Sequence, residues 1–252
     1  MAVTRALRET LAASGVGSSD GFRWRGGEIS RLEGFSDAVF AFAVTLLVVS
    51  LEVPRTFSDL LVVMRGFFAF AICFAVLIGI WHEHFVFFRR YGFQDGATVW
   101  LNAALLFVVL FYVYPLKFLF TLVVNQLILH VPAAEGARIE AAEARKLFVV
   151  YGGGVIAVFS MLALLYVHAY RRRGPLGLNR VETFETRSSI GRNLLAAGVG
   201  AVSIALALTV PERLIGLAGY VYFLFGPVFA AHGAVAGARR RKILAASLPA
   251  RP

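Results

Sequence analysis

The sequence predicts an all-α membrane protein with six transmembrane helices. Of its 252 residues, 59% are hydrophobic and only 16% are charged, and the mean hydropathy is +0.74. Soluble domains carry about 25% charged residues. The apolar residues also form long runs, and about 20 such residues cross the hydrocarbon core of a bilayer. Six runs lie at residues 34–53, 60–87, 98–126, 147–170, 193–210 and 211–236.

The basic residues lie mainly between these runs and predict the topology. Clusters precede the first run and follow the second, fourth and sixth runs: Arg23, Arg25, Arg31, Arg89, Arg90, Arg171, Arg172, Arg173, Arg239, Arg240, Arg241 and Lys242. Because basic loops stay in the cytoplasm, both termini are expected there. We expect a flexible cytoplasmic tail at 1–28, a transmembrane domain at 29–238 and a basic cytoplasmic tail at 239–252.

Other classes of protein are not favoured by the composition. The net charge of +10 could suggest nucleic-acid binding, but the basic residues follow the topology pattern instead. Cys73 is the sole cysteine, which excludes an intrachain disulfide and a thiolate metal site. His82 and His84 project about 160° apart on a helix, which is wrong for a zinc peptidase. The "GGG" at 152–154 favours close helix packing over a nucleotide loop. We therefore expect no metal, cofactor, nucleic acid or enzymatic activity.

The first run carries polar residues at its start, in "RLEGFSDAVFAFAVTLLVVSLEVP". At about 100° per residue, Phe42 and Val49 fall on one line of a helix, and Thr45 or Leu46 fills the gap between them. Asp37 lies about 140° away from Phe42 by the same count. The helix is therefore expected to have an apolar stripe with one hydroxyl group, and a buried polar anchor on another face.

A buried polar anchor needs partners, because each polar group in a membrane must be satisfied within the protein. The second and third runs offer few candidates, at a depth similar to that of Ser36 and Asp37. We expect an inter-helix polar network formed by Arg31, Ser36, Asp37, Trp81, His84 and Asn102.

These residues resemble a known family. "R-x-x-x-F-S-D" from Arg31 to Asp37, followed by "AVFAFAVTLLVV", is similar to the first-helix signature of the transmembrane-protein-175 family of potassium channels. "W-x-x-H" at 81–84 and "WLN" at 100–102 fit the same pattern, so the resemblance covers residues 31–117. It implies a non-enzymatic potassium channel of six-helix subunits in the lipid bilayer. Four copies of the first helix would surround the pore of a homotetramer.

The resemblance also implies roles for individual residues. Ser36 and Asp37 would belong to the inter-helix network rather than to the pore lining. The pore lining and constriction would be formed by Phe42, Thr45, Leu46 and Val49. The filter sequence "TVGYG" is absent, so selectivity would come from constriction, dewetting and the Thr45 hydroxyl groups.

One departure from the family and two rival functions stay open. Family members typically carry Ile or Leu where this chain has Phe42, so four phenyl rings would narrow the axis. A proton-coupled secondary transporter or a proton channel is the alternative function. Either would need titratable groups along the pathway, and the stripe offers none, although Asp37 could serve as a proton relay.

Overall fold

The computed structural model describes residues 22–49, 54–125 and 141–247. Over these residues the chain forms helices and no strand. The α-helices are α1 (Arg31–Val49), α2 (Phe57–Arg65), α3 (Phe67–Tyr91), α4 (Gly96–Val123), α5 (Ala141–Arg171), α6 (Arg180–Thr209), α7 (Gly216–Tyr220) and α8 (Phe225–Ser247). Two short 3-10 helices, Glu212–Leu214 and Val221–Leu224, flank α7.

Five segments of the described chain are long and apolar enough to cross a membrane. They are Val63–Tyr91, Gly96–Val123, Glu143–Arg171, Arg180–Thr209 and Glu212–Ala246. The prediction of an all-α membrane protein is confirmed. The first helix, α1, is not among the five; its 19 residues include Arg31, Glu33 and Asp37. Residues 50–53, which complete the first predicted run, lie outside the described residues.

Three predicted runs differ from the helices of the structure, and the second, 60–87, is divided at Gly66 into α2 and α3. The fifth was expected to begin near residue 193, but α6 begins at Arg180. Asn179 and Glu182 form a reciprocal capping box there, which starts the helix within a polar stretch. The sixth run lies in one helical span, Glu212–Ala246, but it is not a regular α-helix, since 3-10 helices at Glu212–Leu214 and Val221–Leu224 precede α8. Pro227 lies in the first turn of α8, where its missing N–H removes no bond within that helix.

The helices α5 and α6 form the most extensive pair in the bundle. Their backbones approach closely at Gly152 and Gly200. A Cβ atom on Gly152 would lie 2.8 Å from the Gly200 carbonyl oxygen, and a Cβ atom on Gly200 would lie 2.9 Å from that of Gly152. The "GGG" stretch therefore serves close helix packing, as expected.

Ion pairs connect several helix ends at one end of the bundle, which we call the basic end. Three carboxylates there each meet two basic side chains: Glu182 with Arg23 and Arg25, Glu185 with Arg90 and Arg240, and Asp95 with His168 and Arg172. These contacts join the segment before α1 to the end of α3, the start of α6 and the last third of α8. The basic clusters between the apolar runs thus lie at the same end of the molecule.

The segment before α1 is held at the basic end by its backbone. Arg25 and Gly26 each donate an N–H group to the Arg89 carbonyl oxygen at 3.1 Å, and Phe22 is buried. Gly92 ends α3 with φ +62°, and a Cβ atom there would lie 3.1 Å from the Arg25 backbone. Glycine fits this position because a positive φ disfavours any side chain and because the nearby Arg25 backbone leaves little room for one. Residues 1–21, most of the predicted first tail, lie outside the described residues.

Asp95 caps α4 and carries a perturbed carboxyl group. It accepts hydrogen bonds from the Thr98 N–H and hydroxyl groups at 3.0 and 2.6 Å, and from His168 Nε2 at 2.9 Å. Burial alone would raise the pKa of Asp95, but these hydrogen bonds outweigh it and lower the pKa from 3.8 to about 2. The carboxylate form is therefore favoured by folding.

Asp95→Asn should cost stability in a pH-dependent way. Asparagine still caps a helix, but its neutral amide cannot form an ion pair with Arg172. The lowered pKa of Asp95 stabilises the folded state fully at pH values above the ordinary carboxyl pKa of 3.8. This stabilisation disappears as the pH falls through about 2. Melting of the purified protein in detergent should therefore show a gap between wild type and variant that closes as the pH falls below about 4.

Asp95→Ala is the matched control for capping. Compared with Asp95→Asn, this variant should lose a further 0.5–2 kcal/mol of folding stability, typically about 1 kcal/mol, at every pH, because alanine cannot cap the helix. A gap between wild type and Asp95→Asn that stays constant with pH would contradict the proposed ionisation.

Candidate functional site

Helix α1 has one face packed against the bundle and one face directed away from it. Ser36, Phe40, Ala43 and Leu47 are buried on the packed face, at a spacing of three or four residues. The opposite face is exposed: Phe35, Ala38, Ala41, Phe42, Thr45 and Val48. We call these six residues the exposed face of α1. Large apolar side chains such as Phe42, 56% exposed, need a cover of lipid or of another subunit.

A chain of buried hydrogen bonds holds the packed face. Ser36 Oγ donates to the Leu32 carbonyl oxygen at 2.8 Å and accepts from Asn102 Nδ2 at 2.9 Å. Asn102 Oδ1 lies 2.8 Å from His84 Nε2, which is then the donor. All three side chains are at most 1% exposed. We call Ser36, Asn102 and His84 the anchor, because they join α1, α4 and α3.

Asp37 does not belong to the anchor. Trp81 Nε1 donates to Asp37 Oδ1 at 2.8 Å, and Asp37 is exposed in the subunit. The single network expected from the sequence is thus divided into the buried anchor and a separate Trp81–Asp37 contact at the surface. Ser36 and Asp37 are neighbours in sequence and so point about 100° apart. Arg31 is exposed and, within the described chain, bonds to neither group.

Helix α1 begins with a capping box that the sequence analysis missed. Ser30 N donates to Glu33 Oε2 at 2.8 Å, and Glu33 N donates to Ser30 Oγ at 3.1 Å. The pattern S-x-x-E at 30–33 was the available signal. The capping box explains how the acidic Glu33 is accommodated, with its carboxylate satisfied by the backbone next to the anchor.

Lys117 holds α1 near its other end. Its Nζ atom donates to the Leu47 carbonyl oxygen at 2.9 Å. Proline inside a helix typically kinks or ends it, and α4 contains Pro115. Even so, α4 continues through Pro115 to Val123, and this places Lys117 against α1. Two residues of α4, Asn102 and Lys117, therefore bind α1 at points far apart along both helices.

The residues expected to line a pore are only partly on one face. Phe42 and Thr45 are exposed, whereas Leu46 is half-buried and packs against the core. The side chain of Val49 lies outside the described residues. Thr45 Oγ1 donates to the Ala41 carbonyl oxygen at 3.0 Å, so its lone pairs are directed outwards. The exposed face is thus centred on Phe42 and Thr45, with Leu46 at its edge.

Asn102→Ala should destabilise the protein by breaking the anchor at its middle. The His84 N–H would lose its acceptor and Ser36 would lose a donor, and a buried unsatisfied group costs about 1–3 kcal/mol. The melting temperature of the purified protein measures the loss. Asn193→Ala is the control, since Asn193 is similarly buried but, among the described residues, its side chain donates to Ser189 O within its own helix. Equal losses in the two variants would contradict an inter-helix anchor.

The described residues contain no group of three or more His, Cys, Asp or Glu side chains that could bind a metal ion. The chemistry available at α1 is therefore that of an apolar face with hydroxyl oxygen atoms, next to one exposed carboxylate. Such a face can line a pathway or an interface.

Comparisons with known proteins identify relatives of this chain. The family model described as "Endosomal/lysosomal potassium channel TMEM175" matches residues 31–112. A potassium channel of Marivirga tractuosa is 40% identical over 237 residues, which cover 91% of this chain and 96% of that protein. A potassium channel of Chamaesiphon minutus is 31% identical over 150 residues, 56% of this chain and 66% of that protein.

Two solved structures share the fold. The crystal structure of the potassium channel MtTMEM175, a variant in complex with a nanobody–MBP fusion protein, has a TM-score of 0.77 at 40% identity, covering 88% of this chain and 99% of that one. A lysosomal potassium-selective channel TMEM175 homologue from Chamaesiphon minutus has a TM-score of 0.54 at 27% identity, covering 80% and 95%. Over nearly its whole length, therefore, this chain belongs to the TMEM175 family of potassium channels.

Proposed function

We propose that the protein is a homotetrameric potassium channel in which the exposed face of α1 from four subunits lines the pore. The observation that carries the proposal is the pairing of this apolar face with a fully satisfied anchor behind it. Relatives that match most of the chain are named potassium channels. The basic end would face the cytoplasm of a bacterial inner membrane, with both termini, because basic segments stay there.

In this arrangement Phe42 forms the constriction. Four phenyl rings around an axis leave a narrow apolar passage, from which water withdraws readily. Thr45 lies about one turn further along and offers hydroxyl oxygen atoms to a partly dehydrated ion. Leu46 and Val49 would line the wall beside them. No "TVGYG" sequence is present, so the constriction and the hydroxyl groups would select potassium.

A proton pathway is the second candidate function. Its support is the exposure of Asp37, since a carboxylate at the surface of a membrane helix is a candidate proton relay. Asp37 accepts a hydrogen bond from Trp81. This candidate predicts flux that follows a proton gradient, whereas the channel predicts flux that follows potassium.

The reversal potential of the protein in planar bilayers tests the proposal. Under a potassium/sodium gradient, the potential should move toward the potassium equilibrium value. A potential that follows only an imposed pH gradient would favour the proton pathway. The absence of any current would contradict both candidates.

Phe42→Ala should raise single-channel conductance and weaken the preference for potassium over sodium. The smaller side chain widens the apolar constriction and admits more water. The measurement is the reversal potential together with the unitary current.

Two variants control for the change from Phe to Ala. Phe107→Ala removes an equally large side chain from α4, where Phe107 is 71% exposed, and should leave selectivity unchanged. Phe40→Ala removes a side chain that is 4% exposed on the packed face. It should cost about 3–5 kcal/mol of stability without changing selectivity. Changed ion preference in Phe40→Ala but not in Phe42→Ala would overturn the proposed face.

Lys117→Met should reduce the preference for potassium, because the end of α1 beyond Thr45 would lose its bond to α4. Lys117→Arg keeps the charge and the donor groups and should retain most of the preference. Lys146→Met removes the same charge from an exposed position on α5 and should have no effect. Wild-type selectivity in Lys117→Met would show that this bond does not position the pore helix.

A further inference from the structure

A large cavity lies inside the subunit, away from the exposed face of α1. It has a volume of about 1290 Å³ and is bounded by α3, α4, α5, α6 and α8. Typical ligand pockets have about 300–1,000 Å³. Its lining includes the exposed residues Gly79, Tyr220, Phe223 and Gly233. The cavity therefore opens onto the surface of the membrane-spanning helices.

The two ends of the cavity differ in polarity. Most of its wall is apolar and aromatic, with Val76, Phe159 and Phe223 among the lining residues. Toward the basic end the lining includes Glu83, Ser188, Ser189, Arg192, Asn193 and His232. Arg192 pairs with Glu83, and His232 Nε2 lies 3.5 Å from Ser188 Oγ. Hydroxyl, guanidinium and amide donors outnumber the single carboxylate there, which suits a ligand that presents oxygen acceptors.

The cavity has the depth of one bilayer leaflet. Its lining on α3 extends from Ile72 to Glu83, which is about 16 Å at the helical rise of about 1.5 Å per residue. The hydrocarbon core of a bilayer is about 30 Å thick, so one leaflet spans about 15 Å. An acyl chain that starts at the Glu83 level would thus reach the far end of the cavity.

The surrounding charge favours an anionic head group. At the basic end, Glu182 and Glu185 each meet two arginine residues. This excess of positive charge begins about 10 Å along α6 from Arg192, at a rise of about 1.5 Å per residue. Basic pockets between membrane helices bind anionic lipid head groups. Arginine also forms strong charge-assisted hydrogen bonds with phosphate oxygen atoms, and Arg192 has N–H groups beyond the one that bonds to Glu83.

We propose that this cavity binds an anionic phospholipid. Its acyl chains occupy the apolar part between α3, α4, α5 and α8, and its phosphate group binds Arg192, with Ser188 and His232 beside it. The volume exceeds the range for small ligands, which favours a lipid with two chains over a free fatty acid. The site requires only the membrane-spanning bundle and is independent of ion conduction.

Photolabelling of the protein in vesicles tests the site. The probe is phosphatidylglycerol with a diazirine near the end of one acyl chain, and phosphatidylcholine and palmitate with the same group are the comparison probes. Labelled peptides are identified by mass spectrometry. Phosphatidylglycerol should label α3 and α8 peptides that line the cavity about tenfold more than phosphatidylcholine does, the effect of one order of magnitude in affinity.

Glycine variants test the location. A Cβ atom at Gly233 would meet nothing within 4 Å, so Gly233→Phe should fill the cavity without a clash and abolish the labelling. Gly79→Phe, on α3, should also abolish the labelling, and it replaces Gly233→Phe as the test if that variant does not fold. Gly237→Phe is the control, since Gly237 also has open space but does not line the cavity. Unchanged labelling in both cavity variants would overturn the proposal.

Charge variants test the head group. Arg192→Gln should remove the preference for phosphatidylglycerol, whereas Arg187→Gln, at an exposed position of the same helix, should keep it. Equal labelling by phosphatidylglycerol and phosphatidylcholine in the wild type would overturn recognition of the phosphate charge. Labelling by palmitate alone would overturn the phospholipid as the ligand.

Discussion

The hydrogen-bonded chain from Ser36 through Asn102 to His84 is the constraint on which the arrangement of α1 depends. Inside a membrane, these groups have no water as an alternative partner, so each must be satisfied by the protein. Turning α1 by one residue would rotate Ser36 by about 100° and leave Asn102 without its acceptor. The anchor therefore selects one rotation of α1 about its axis. The bond from Lys117 to the Leu47 carbonyl oxygen fixes the same helix near its other end.

Once this rotation is set, the exposed face follows from helical geometry. Phe42 and Thr45 lie on the side of α1 away from the anchor, together with the small residues Ala38 and Ala41. Small residues let helices approach closely, while Phe42, like Phe35 about two turns before it, extends far from the helix axis. In a four-fold arrangement, this alternation would make Phe42 a narrow level next to Thr45. The polar groups that stabilise the subunit and the apolar groups that would meet the ion are thus kept on separate faces.

Local sequence patterns predicted much of this arrangement, but they could not predict contacts between residues that are far apart in the sequence. The hydropathy runs located the membrane helices, and helical spacing separated Phe42 from the polar residues of the motif. The same count could have separated Ser36 from Asp37, which the structure places in different environments. The partner of Lys117 could not be predicted, because it depends on α4 continuing through Pro115. Nor could the ion pairs of Glu182 with Arg23 and Arg25, since about 160 residues separate them and no periodicity links them.

The rate at which a thiol reagent blocks current through single-cysteine variants of α1 tests the central claim most directly. The native Cys73 is fully buried, so the wild-type protein provides the background rate. Cysteine at Phe42 or Thr45 should be blocked rapidly by a water-soluble methanethiosulfonate reagent, because both positions would line the conducting pathway. Cysteine at Phe40 or Leu47 should react at the background rate. Rapid block at Phe40 and Leu47, with none at Phe42 and Thr45, would contradict the account.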